Sequence, residues 1–230
     1  MLDSLLAAAP VTVVETARDE PADPFLFPEE AEVVARAVDK RRREFATVRR
    51  CARAALAELG VPPVPILPGA KGAPGWPDGI VGSMTHCAGY GAAVVARASE
   101  VLSVGVDAEP AAPLPDPGVL ALVADEGERA ALSELGSRHP DVPWDRLLFS
   151  AKESVYKTWF PITGRWLDFE EARMDLKPDG TFVATLLVPG PTVAGRELTG
   201  FRGHWRIRDG IAVTAIVLPL TPPLPPVPGT

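Results

Sequence analysis

Phe149, Tyr156 and Phe160 recur at intervals of seven and four, and Pro161 follows, which predicts a helix over 149–160 that the proline stops. On that helix Glu153 and Lys157 stand one turn apart on one face. Upstream, Ser103-Val-Gly-Val-Asp-Ala-Glu-Pro110 reads as a short strand whose period of two sends Asp107 and Glu109 to one face, Val106 and Ala108 to the other. Further strands are predicted over 11–15, 81–86, 183–188 and 211–218, with Asp209-Gly210 as the turn of a hairpin. A helix opens at Pro28, with Glu29 and Glu30 in its first turn, and runs to Val38. Asp39 caps a second, whose apolar stripe is Phe45, Val48, Ala52, Leu56 and Leu59, closed by Gly60 and Pro62. Residues 118–135 read as one helix with Leu120 and Val123 inward.

The segments between these elements are proline-rich. Residues 19–27 and 111–117 are loops, and 61–79 is a structured loop with Lys71 in its middle and Trp76 as an anchor. Residues 219–230 read as a disordered tail. A boundary near 101–105 divides the chain into an N-terminal lobe, 1–104, and a C-terminal lobe, 105–218. Strands and helices in each make the fold α+β.

Hydrophobic residues at 47% and charged residues at 23% describe a soluble globular protein. No apolar run reaches the length of a membrane span, and the N-terminus lacks the basic region of a signal peptide. Cys51 and Cys87 are too few for a disulfide framework, so a reducing cytoplasm is expected. A net charge of −7 argues against nucleic acid as partner. Against that background, residues 36–53 hold eight basic side chains and two acids, a cluster suited to something anionic.

Beside one another, the 103–110 strand and the 149–160 helix gather Asp107, Glu109 and Glu153 around Lys157. Carboxylates so packed repel unless a hard cation sits among them, and Mg²⁺ takes oxygen ligands from carboxylates and phosphates. The pattern points to a Mg²⁺ site for phosphate chemistry.

Gly105-Val-Asp-Ala-Glu109, followed forty residues later by Phe149-Ser-Ala-Lys-Glu-Ser-Val-Tyr-Lys157, resembles the signature pair of the surfactin/enterobactin-type 4′-phosphopantetheinyl transferases. Trp76-Pro-Asp-Gly-Ile-Val-Gly-Ser-Met-Thr-His-Cys-Ala-Gly-Tyr90 resembles that family's upstream motif. The resemblance implies two similar, pseudo-dimeric lobes, each a small antiparallel sheet with packed helices, and an active site in the cleft between them. It also implies transfer of 4′-phosphopantetheine from coenzyme A to a serine of an apo acyl or peptidyl carrier protein, releasing 3′,5′-ADP, as in polyketide and nonribosomal peptide biosynthesis. On the matching positions, Asp107, Glu109 and Glu153 would hold Mg²⁺, with Mn²⁺ able to replace it. Arg41, Arg49, Lys71 and His86 would bind the coenzyme A phosphates, with Ser83, Met84 and Thr85 lining the same pocket. Lys157 would orient the pyrophosphate, Lys152 would assist from the neighbouring face, and Glu153 would take the serine proton. Docking of the carrier could use Arg49–Arg53 for charge, or Trp159 and Phe160 for apolar contact. No membrane and no second copy of the chain are implied.

Two other classes fit parts of the pattern. A non-catalytic module binding coenzyme A or a carrier would need the pocket but not the acids. A metal-dependent nucleotidyltransferase would need the acids but not a coenzyme A pocket. The reaction products separate the three.

Overall fold

A computed structural model describes residues 1–18, 25–87 and 89–220. The elements run α1 (Leu2–Leu5), β1 (Thr12–Thr16), α2 (Pro28–Val33), α3 (Asp39–Glu58), β2 (Ile80–Cys87), β3 (Tyr90–Arg97) and β4 (Val101–Pro110). They continue with α4 (Pro117–Val123), α5 (Glu126–Arg138), α6 (Trp144–Thr163), β5 (Ala172–Leu176), β6 (Thr181–Leu186), β7 (Thr192–Val193), β8 (Arg196–Glu197), β9 (Gly200–Arg208) and β10 (Ile211–Pro219). The fold is α+β, and every strand pairing is antiparallel.

A three-stranded sheet has the order β1-β3-β2, and a five-stranded sheet the order β4-β10-β9-β6-β5. The period-two pattern gives each sheet two apolar faces. On β3, Ala92, Val94 and Ala96 join Val106 and Ala108 of β4 and Val213 and Ala215 of β10 in one core shared by both sheets. The alternate residues Ala93 and Val95 pack under α3, against Ala52, Ala55 and Leu56. On the second sheet the opposite face, Ala212 and Ile216 among them, packs under α6. No helix among the described residues is long and apolar enough to cross a membrane.

Several boundaries depart from the sequence pattern. The 118–135 helix is two helices, because Asp125 accepts from Glu128 N (2.7 Å) while the Glu128 carboxylate accepts from Asp125 N (2.9 Å). That reciprocal capping starts α5 afresh after Ala124, which is extended. α2 ends at Val33, five residues early, and Asp39 is the first residue of α3 rather than its cap. Pro161 does not stop α6. Its missing N–H leaves the Lys157 carbonyl without its usual donor one turn on, and the helix runs on to Gly164, which takes the left-handed conformation (φ 63°). Pro219 closes β10 opposite Val101, and residues 221–230, most of the expected tail, lie outside the described residues, as do 19–24 of the first loop.

The helical period of α6 is as expected, but the buried face is not the aromatic one. Leu147, Leu148, Ala151, Val155 and Trp159 enter the core, together with Ser150, Ser154 and Thr158. These small hydroxyl residues let the helix lie close on the sheet: Ser154 Oγ and Thr214 Oγ1 are 2.7 Å apart, and Ser103 donates to Thr158 O at 2.8 Å. The closest approach is at Gly105, where an added Cβ would sit 2.0 Å from Ser154 O and 2.2 Å from Thr158 Oγ1. Gly105→Ala is therefore expected to destabilise by about 1–3 kcal/mol or more through overpacking. Gly136→Ala, on α5 with open space around it, should be neutral or stabilise by up to about 1 kcal/mol. Denaturant midpoints of the two variants check this, and equal midpoints would mean that α6 does not seat on Gly105.

Candidate active site

The two sheets meet edge to edge at β2 and β4, and no backbone ladder joins these strands. Edge N–H groups need partners. Here Val106 N donates to Ser83 Oγ (3.1 Å) and Ala108 N to Thr85 Oγ1 (2.9 Å). The alternation of β2 buries Ser83, Thr85 and Cys87 and leaves Met84 and His86 half-exposed. On the same edge the Val106 carbonyl accepts from Lys157 Nζ (3.1 Å), whose second bond, 2.8 Å, goes to Asp107 Oδ1. Gly105 thus brings α6 close enough for its lysine to reach the free edge of β4.

Above this seam, between α3 and α6, lies a cavity of about 960 Å³. Arg41 and Arg49 of α3 line it, with Lys71 of the proline-rich loop, Ser83, Met84, Thr85 and His86 of β2, and Glu153 and Lys157 of α6. Tyr156 and Phe160, two of the aromatics that marked the helix in the sequence, form part of its wall. Lys71 has a positive φ (54°), and its ammonium lies 5.6 Å from the Trp166 ring, so the loop reaches across to the segment after α6.

The acids are near one another without forming a closed cluster. Burial first, then the Asp107 charge, pushes the Glu153 carboxyl above its ordinary range, while Lys157 opposes. Burial and Asp107 also raise Glu109, against the pull of Arg146, whose Nη1 holds Glu109 Oε2 at 2.7 Å. Among the described residues no three His, Cys, Asp or Glu are gathered tightly enough to hold a metal ion as they stand. Lys157 pairs with Asp107 Oδ1, and Arg146 with Glu109 Oε2. Asp107 Oδ2, however, is buried and has no hydrogen-bond partner. An orphaned carboxylate oxygen with half-buried carboxylates nearby suits a hard cation.

Some expected positions serve other ends. Lys152 does not reach the large cavity: it is buried, donating to Glu128 Oε2 (2.9 Å) and Phe169 O (2.7 Å). The docking residues are likewise engaged. Trp159 is fully buried and donates to Arg165 O (2.9 Å), so it offers a partner no surface. Arg53 pairs with the buried Glu30 at 2.8 Å and 2.9 Å. Arg49 is buried too, its Nε donating to Ile66 O (3.0 Å) and its guanidinium lying over the Phe45 ring. Burial lowers the Arg49 pKa to about 10 in spite of Glu30 nearby.

Several contributors had escaped the sequence reading. Glu128 sits three residues after Asp125, a spacing that signals a capping box. Glu30 had shown only as an acid in a helix first turn, although its carboxylate also accepts from Ile66 N (2.8 Å). Arg146 meets Glu109 across 37 residues of chain and left no local signal.

This geometry accompanies a clear kinship. Residues 29–96 match the family model for the 4′-phosphopantetheinyl transferase N-terminal domain, and residues 103–214 that for the 4′-phosphopantetheinyl transferase superfamily. The chain is 60% identical over 203 residues to the 4′-phosphopantetheinyl transferase Svp of Streptomyces mobaraensis, spanning 87% of this chain and 82% of that protein. It is 53% identical over 197 residues to PptT of Mycobacterium tuberculosis, spanning 84% and 86% of the two chains. With enterobactin synthase component D of Salmonella typhi it shares 40% identity over 178 residues, 77% and 72% of the two chains. The matched segments carry β2, β4 and α6, the three elements that meet at the seam, and the chain belongs to the 4′-phosphopantetheinyl transferase superfamily.

Proposed function

We propose that this protein transfers 4′-phosphopantetheine from coenzyme A to a serine hydroxyl of an apo acyl or peptidyl carrier protein. The observation that carries the reading is a single cavity with cationic side chains, Arg41, Arg49 and Lys71, on one side and Glu153 and Lys157 on the other. In this reading the chain forms two similar lobes, 1–104 and 105–218, with the active site in the cleft between them, and each lobe has a helix of 20 residues, α3 and α6. One chain supplies both walls, which supports a protein that works as a monomer.

Arg41, Lys71 and His86 bind the phosphates of coenzyme A, and guanidinium forks suit phosphate oxygens. Arg49, fixed by Ile66 O, adds positive charge from behind. Lys157 has three N–H donors and commits two of them to Val106 O and Asp107, leaving one for a pyrophosphate oxygen. Asp107, Glu109 and Glu153 would hold Mg²⁺, or Mn²⁺ in its place, which when bound supplies charge neutralisation on the pyrophosphate. Glu153, its affinity for a proton raised by burial, takes the serine proton directly or through one water. The serine oxygen then bonds to the phosphorus bearing the pantetheine, and the bond to 3′,5′-ADP breaks. Incubation with coenzyme A, Mg²⁺ and a panel of apo carrier proteins, read by intact mass and by release of 3′,5′-ADP, tests the reading. Unmodified carriers throughout would overturn it.

Turnover should stop in excess EDTA and return with Mg²⁺, and Asp107→Ala should abolish it while a circular-dichroism melt still shows a folded protein. Full activity of the variant in EDTA would remove the metal from the account.

Arg41→Ala and Arg49→Ala should separate. The Arg41 side chain is about half exposed, so its loss should weaken coenzyme A binding by ~1.5–3 kcal/mol with little change in Tm. Arg49→Ala should weaken binding and also lower Tm, because it strips a buried partner from Glu30 and Ile66 O. Calorimetric binding together with thermal melts distinguishes them.

A further inference from the structure

The corner of the cavity where α3 meets β2 holds three groups in a fixed relation. Arg41 Nη1 lies 2.7 Å from His86 Nε2. Guanidinium nitrogens only donate, so Nε2 is the acceptor, and the neutral ring carries its proton on Nδ1. That Nδ1 edge faces Glu44 Oε2 at 3.8 Å, and the same carboxylate oxygen is 4.0 Å from Arg41 Nη1. Glu44 is therefore placed behind both groups that the cavity presents to an anion, and its side chain is only 12% exposed.

We propose that Glu44 is a positioning residue for His86, holding the ring so that it takes up a proton on Nε2 and donates to a phosphate group when the ligand draws Arg41 away. The inference rests on the reading of this cavity as a coenzyme A site. In the free protein the ring is held neutral by its surroundings. Burial lowers its pKa first; Arg41 on α3 and Lys157 on α6 lower it further, while Glu44 on α3 and Asp107 on β4 act the other way. A phosphate dianion at Nε2 reverses that balance, because it offsets Arg41 and Lys157 and accepts from the new N–H. Glu44 stabilises the positive charge from the far edge of the ring. Binding thus takes up one proton, over a pH window that opens below the ordinary histidine value of 6.5 and extends up to the raised value in the complex.

Calorimetric titration of the whole protein with coenzyme A and Mg²⁺, in buffers of different ionisation enthalpy, counts the protons. The ligand's own monoester, with a second ionisation near pH 6, releases protons on binding. That release remains in His86→Gln, so the difference between wild type and this variant isolates the ring. Wild type should take up as much as one proton per coenzyme A more than His86→Gln does. Affinity should then rise as pH falls through the window, by at most about tenfold per pH unit. Glu44→Gln should reduce the uptake and weaken binding about three- to tenfold near neutrality, with the two curves converging by about pH 9, where both rings stay neutral. Equal proton counts in wild type and His86→Gln, or a Glu44→Gln effect that is the same at every pH, would overturn the proposal while leaving the coenzyme A site standing. Failure of wild type to bind coenzyme A at all would overturn both.

Discussion

The free edge of β4 is the constraint on which the site depends. Two sheets abut there without a ladder, and two hydroxyls, Ser83 and Thr85, accept the N–H groups that a neighbouring strand would otherwise have taken. An unpaired buried N–H costs ~1–3 kcal/mol, so this pairing fixes how the strands sit against each other. The next edge group, the Val106 carbonyl, remains for Lys157. One strand edge therefore holds the two sheets together and orients the Lys157 ammonium at the cavity.

Positive charge in this acidic protein is divided by depth. The basic run on α3 looks uniform along the sequence, but Arg53 is turned onto the buried Glu30, and Arg49 donates to the Ile66 and Phe45 carbonyls. Arg41, one turn from Glu44 and beside His86, is the member exposed to the cavity mouth. A buried carboxylate is costly unless paired, and Glu30 is satisfied by Arg53, Phe27 N and Ile66 N. The same contacts tie α2, α3 and the start of the proline-rich loop into one wall. A similar division holds on α6, where Lys152 pairs inward with Glu128 and Lys157 pairs at the cavity rim.

How much of this was legible in the sequence follows from the range of the interactions. The Asp107–Glu109 strand, the Glu153–Lys157 turn and the strand that carries Ser83 and Thr85 depend on local period, and the structure has them as the pattern predicts. The start of helix α5 depends on a capping box, Asp125 and Glu128, which the helical period alone takes into a longer helix. What period could not give was the face of α6 that is buried. Aromatic residues usually mark a core, yet Tyr156 and Phe160 flank the cavity, while the core face includes Ser150, Ser154 and Thr158, which pattern reading counts as polar. Their hydroxyls are satisfied within the helix or against Thr214, so they behave as small apolar residues there. The roles of Arg146 and Glu44 rest on contacts across 37 and 42 residues of chain, beyond any local signal.

Two carboxylates of the site, Asp107 and Glu109, each have a cationic partner on one side only. Asp107 gives Oδ1 to Lys157 and leaves Oδ2 buried and unpaired; Glu109 gives Oε2 to Arg146. Full pairing would make the acids poor ligands, since a cation would first have to break good ion pairs. No pairing at all would leave repelling charges in a place with little water; burial first, and the Asp107 charge second, already make Glu153 and Glu109 hold their protons more tightly. Half-pairing is the compromise that keeps the strand and helix in place while one oxygen of the most buried acid waits for a partner. The same logic governs the corner between α3 and β2, where Arg41 is parked on the His86 imidazole rather than on a carboxylate. An arginine released from a neutral acceptor gives up less than one released from an ion pair, so an anion entering this corner meets a donor that is oriented but weakly held.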